Sequence, residues 1–219
     1  MRLRPSTLGS GFLALAFLTA CSPDYSAVRD WSVQARVNVL PPASVRPPNS
    51  AVTAPAAPAT VAASGQEGAV RALEEAAGAW LSMLAFIAED GVPLERTSRF
   101  GPLAELVRPF DADAGRAVAA LGETMAFAAR RNWRAPELYL AVERGDPDFQ
   151  KIMAALSRLS TTTARADQPA PARLAGFADI AEGHAFLKQN SSRLSARETA
   201  RILRLRESEL RRLVELGRR

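Results

Sequence analysis

From Glu67 onward the apolar side chains recur every three or four positions, and this period constrains the fold more than any other feature of the chain. Val70, Leu73, Ala77, Trp80, Leu84 and Ile87 form the first stripe, widened by Leu81, Met83 and Phe86. So broad an apolar face belongs to a helix covered on several sides, and this helix is expected to be the central one. Asp90-Gly91-Val92-Pro93 stops it, with Gly91 able to take the left-handed cap. Residues 94–102 read as a connection and residues 103–108 as a short turn of helix closed by Pro109. Asp111 is placed to cap a second long helix, with Ala114, Val118, Leu121, Met125 and Ala128 inward and an end near Asn132.

Pro136 suits the first turn of the next helix, in which Leu138 and Val142 face inward and Gly145 marks the end. Asp146-Pro147 then reads as a fresh start, Asp146 capping and Pro147 at the first helical position, ahead of Phe149, Ile152, Met153, Leu156 and Leu159. Past a loop at residues 164–171, Leu174, Phe177, Ile180, Ala181, His184 and Leu187 make another stripe. Ser195-Ala196-Arg197-Glu198 has the form of a capping box. It opens a last helix with Ile202, Leu203, Leu210, Leu213 and Val214 on its apolar face and Gly217 at its stop. No strand pattern follows residue 66, and no repeat of fixed period is visible. The expectation is an all-α domain over residues 67–219, a bundle of about six helices.

The chain ahead of that domain has a different character. Residues 41–65 carry Pro41-Pro42, Pro47-Pro48 and Pro55-Ala56-Ala57-Pro58 among Ser, Thr and Ala. Proline fixes φ and removes a donor, so the stretch is expected to be a disordered, extended tether, rising about 3.1 Å per residue where it is polyproline-like. Residues 23–40 leave two readings open. Val28, Trp31 and Ala35 share a helical face, while Val33, Ala35, Val37 and Val39 alternate as in a strand. Tyr25 and Trp31 suit a membrane interface, and equally Trp31 suits packing on the domain.

The first residues carry a basic head, Arg2 and Arg4, then the apolar run Phe12-Leu13-Ala14-Leu15-Ala16-Phe17-Leu18, then Thr19-Ala20-Cys21-Ser22. Charge, a short apolar core and small residues before a boundary are the pattern of a secretory signal, and a bilayer span needs roughly 20 apolar residues. Cys21 is the single cysteine of the 219 residues. Leu18-Thr19-Ala20-Cys21 resembles the lipobox of bacterial lipoproteins. The resemblance implies a signal peptide over residues 1–20, cleavage between Ala20 and Cys21, and a lipid, diacylglycerol with further acylation such as palmitate, on Cys21. Residues 21–66 then form a lipid-anchored segment and linker. Ser22 is not aspartate, so the resemblance implies the outer membrane rather than the inner, with the domain facing the periplasm.

Charge narrows the partners. The isoelectric point near 10.3 points at first to nucleic acid. Lys151 and Lys188 are the only lysines, and the arginine, alanine and proline bias is that of a GC-rich coding sequence. Arg2 and Arg4 lie in the signal, which lowers the formal charge from +5 to +3 in the mature chain. Nucleic acid is therefore not an expected partner; the membrane, through Cys21, and an envelope protein or anionic surface are. Arg201, Arg204, Arg211 and Arg212 on the last helix are the candidate docking face, although Glu198 and Glu207 can pair with Arg201 and Arg211 along the helix.

Catalytic signals are thin. His184 is the single histidine. Alone it cannot build a zinc site, which wants three or four ligands, but it could serve as a general base. Asp111 and Asp113 lack the remaining positions of a calcium loop and are better read as capping charge, as are Asp146 and Asp148. No nucleophile elbow, Walker A loop, dinucleotide fingerprint or His-Glu-x-x-His occurs, and no cofactor is expected. The function expected is a binding or structural accessory module of the envelope; the alternative is an envelope-acting hydrolase. The surroundings of His184 divide them: a pocket of convergent polar groups favours the hydrolase, and uninterrupted apolar packing favours the module.

Overall fold

A computed structural model describes residues 23–40, 58–93, 99–161 and 170–217. Among them are seven α-helices and no strand: α1 (Ser26–Val39), α2 (Pro58–Ala88), α3 (Phe100–Val107), α4 (Ala112–Arg130), α5 (Leu138–Ser160), α6 (Ala170–Gln189) and α7 (Arg197–Gly217). Short 3-10 turns at Ala135–Glu137 and Ser191–Arg193 precede α5 and α7. The architecture is all-α, as the periodicity predicts. α2 packs against α1, α3, α4 and α5, and α1 packs in addition against α6 and α7. The whole predicted stripe of α2 is buried, with Leu81 and Met83; Phe86 instead is exposed.

The largest departure from expectation is α1. Residues 26–39 form a helix of the core, so the bundle includes chain that lies before residue 67. The helical reading wins because Ala27, Val28, Trp31, Ala35 and Val39 are all buried on one face, whereas Val33, which the strand reading needs inside, is half exposed. Trp31 is fully buried against α6, where a Cβ at Gly183 would come within 2.5 Å of its ring. Packing on the domain is thus the outcome for Trp31. α2 begins at Pro58, nine residues before Glu67 and inside the stretch read as a tether; residues 41–57 lie outside the described residues.

A second departure is in α5, which runs without a break from Leu138 to Ser160 through Gly145-Asp146-Pro147. Gly145 does not end a helix. It makes room for Trp80, whose Cζ2 would stand 2.0 Å from a Cβ there. Pro147 costs one backbone hydrogen bond inside the helix, and the buried faces on both sides hold the helix together across it. Smaller corrections follow the same logic. The left-handed residue after α2 is Asp90 (φ 59°), not Gly91, and after α4 it is Asn132 (φ 50°), with Trp133 N–H bonded to Ala128 C=O at 3.0 Å. Asp111 caps α4 as expected, accepting from Ala114 N–H at 2.9 Å. Glu198 does not close a capping box: its oxygens are 2.8 and 3.2 Å from Arg201. Trp133, at a helix end, is nonetheless buried, edge-on to Phe127.

Side-chain links define the two ends of the bundle. At one end Arg29 near the start of α1 meets Glu89 after α2 (3.4 Å), Arg134 before α5 bonds the Asp90 carbonyl (3.1 Å), and Ser191 before α7 bonds Glu143 (2.7 Å). At the other, Gln66 of α2 bonds the Leu159 carbonyl of α5 (3.1 Å), and Arg158 pairs with Asp111 at the start of α4.

Candidate functional site

His184 projects from α6 into the centre of the bundle and is fully buried. Trp80 of α2 donates its indole N–H to Nε2 at 3.0 Å. An indole nitrogen can only donate, so Nε2 accepts and the ring proton is on Nδ1. Nδ1–H then donates to Asp146 Oδ1 of α5 at 2.9 Å. Phe149 packs on the imidazole with centroids 4.5 Å apart. Burial pulls the His184 pKa below its ordinary value despite Asp146, which agrees with a neutral ring.

Asp146 is nearly buried too. Burial pushes its pKa up, but hydrogen bonds from His184, Gln150 and Lys188 outweigh that and hold the carboxyl well below the usual range. Gln150 reaches Oδ1 at 3.1 Å and also bonds the Ala181 carbonyl at 2.9 Å; Lys188 Nζ is 3.0 Å from Oδ2. Asp146 was expected to cap a helix. Its position inside α5, one residue after the Gly145 that admits Trp80, turns it inward instead. The partners of His184 are 38 and 104 residues away in the chain, and no local spacing marks them.

Chemically, the cluster is an aspartate–histidine couple of the kind that serves as a general base in hydrolases. Here the nitrogen that would receive a nucleophile's proton has its lone pair occupied by the indole N–H of Trp80, which is no nucleophile. The arrangement is neither of the two expected ones: polar groups do converge on His184, but on a ring sealed inside the core. It ties α2, α5 and α6 together. A second buried link joins the same outer pair, Arg173 of α6 with Glu74 of α2, the guanidinium lying over the Phe177 ring at 5.3 Å.

On the surface, a groove of about 370 Å³ opens between α1, α2, α3 and α4. Leu40, Met83, Phe86, Phe100 and Met125 give it apolar walls; Arg36 lines it as well, together with the Glu75–Arg99 pair at 3.1 Å. The arginine face of α7 is exposed, and three of its four predicted residues are paired: Arg201 with Glu198 (2.8 Å), Arg211 with Glu207 (2.6 Å) and Arg212 with Glu209 (2.6 Å). Arg204 is exposed on the same face.

Ala20 and Cys21 lie outside the described residues. Among the described residues no group of three or more His, Cys, Asp or Glu is placed to hold a metal ion, and no helix is long and apolar enough to cross a membrane. Comparison with protein-family models, with curated proteins and with solved structures finds no match to this chain.

Proposed function

We propose that this chain is a lipoprotein of the bacterial envelope. It is held to the membrane by lipid on Cys21, in the outer rather than the inner membrane, and its helical bundle faces the periplasm as a binding or structural accessory module. The ordered run of basic head, apolar core and Leu18-Thr19-Ala20-Cys21 carries the anchor. The locked ring of His184 favours the module over an envelope-acting hydrolase, since the chain's one histidine has neither nitrogen left for a substrate. The groove beside Arg36 is the candidate binding surface.

Radiolabelled palmitate tests the anchor. The wild type should incorporate label and remain with the membrane fraction. Cys21→Ala should take up none and stay uncut by the lipoprotein peptidase. Equal labelling of the two proteins would sink this reading.

A further inference from the structure

We propose that the end of the bundle at which α1 begins lies against the lipid headgroups, so that the module is held flush on the membrane surface. The inference rests on reading Cys21 as lipidated. Its structural basis is that α1 belongs to the core: Val28 and Trp31 are fully buried, and Tyr25, just ahead of α1, is half-buried against the same core. The folded body therefore starts four residues after Cys21. A fully extended chain spans at most about 3.6 Å per residue, so the reach from Cys21 to Tyr25 is about 14 Å. The headgroup layers of a bilayer together add about 10–15 Å to its hydrocarbon core. A leash that short keeps the start of α1 at the headgroups. The proline-rich residues 41–57 connect α1 to α2, both parts of one body, so their length adds nothing to the distance from the membrane.

The side chains at this end fit a lipid surface. Each acidic group here has a partner within the protein: Asp24 accepts from Ser26 N–H, Arg29 meets Asp30 and Glu89, Arg134 meets Asp90 through its side chain and Glu137 through its N–H, Ser191 bonds Glu143, and Arg201 pairs with Glu198. Arg193 and Arg197, beside the turn into α7, are exposed and enter none of these pairs, so they are left for phosphate oxygens. Tyr139, in the first turn of α5, is 41 % exposed, and an amphipathic ring of this kind favours the headgroup level.

The test uses the full lipidated chain in vesicles whose lipids carry a nitroxide quencher on the headgroup. Ser192→Cys places a thiol at the proposed end, and Asp113→Cys places one at the start of α4, at the opposite end. The intervening α5 is about 34 Å long, at about 1.5 Å per residue. Each thiol is labelled with a small fluorophore; lipidated Cys21 does not react. Both variants should keep the wild-type melting midpoint. The probe at residue 192 should lose most of its emission in quencher vesicles and the probe at residue 113 almost none. Palmitate incorporation with equal quenching at both positions, or none at residue 192, would overturn this orientation alone. Absence of palmitate would overturn the lipoprotein reading beneath it.

Discussion

The cluster around His184 and the arginine face of α7 use similar groups to opposite effect. Around His184 the bonds run from helix to helix, and the imidazole and the indole that meets it are fully buried. For Arg201, Arg211 and Arg212 on the outer face of α7 the partners are three or four residues away on the same helix, and the guanidinium groups are largely in solvent, unlike Arg206, which reaches Asp179 of α6. Partners drawn from distant elements make a polar contact specify the packing of helices. Partners drawn from the same helix leave packing untouched, and water competes for every bond. Arginine content alone therefore says little about where this bundle is held together.

The sharpest way to break the comparison is Trp80→Ala. It removes a fully buried ring from the middle of α2 and leaves His184 Nε2 without its donor. Changes of this kind cost about 3–5 kcal/mol, a large share of the roughly 5–15 kcal/mol that holds a domain folded. A urea titration should show a collapse of the unfolding midpoint, and a near-wild-type midpoint would remove α2 from the centre of the fold.

Acid is a gentler probe. The folded state keeps His184 neutral because burial lowers its pKa, while the unfolded chain takes a proton below about 6.5. The unfolded state thus binds more protons, and stability should fall as pH drops through 6.5, by up to about 1.4 kcal/mol per pH unit. Asp146, whose carboxyl is held well below the usual carboxylate range, adds a further loss in stronger acid; Asp179, raised by burial against the pull of Arg206, works the other way there. Urea midpoints between pH 7.5 and 5 should therefore slope downward for the wild type, and the slope should flatten for His184→Gln. A flat wild-type profile would mean that His184 takes up its proton as readily inside the fold as in the unfolded chain.

The smallest effect belongs to α7. Arg201→Ala with Arg212→Ala should leave the thermal midpoint at its wild-type value in physiological salt, because both side chains are solvated and their pairs are local. A clear loss of stability would show that the outer face of α7 shapes the packing after all.

The sequence was most readable where one element answers to its own period. The stripe of α2, the Asp111 cap and the Arg201–Glu198 and Arg211–Glu207 pairs are local patterns, and all are found. It misled where tertiary contact overrides a local signal. Gly145-Asp146-Pro147 has the residues of a helix break, yet the glycine is there for the Trp80 ring and the aspartate for His184. In α1, alternating valines imitate a strand over a segment too short for its helical period to dominate. The role of His184 was invisible because it is defined by partners on two other helices.

The placement of α1 also bears on how the protein is made. Asn38, at the end of α1, donates to the carbonyl of Leu210, 172 residues later. α1 packs along α7, the last described helix. A chain is synthesised from its amino terminus, so Trp31 emerges early and waits until almost everything else has followed before its pocket can close. Contacts this distant in sequence make folding slow and leave apolar surface open in the interval. A polypeptide interrupted before residue 197 would lack α7, and the face of α1 that α7 covers would stay open to water.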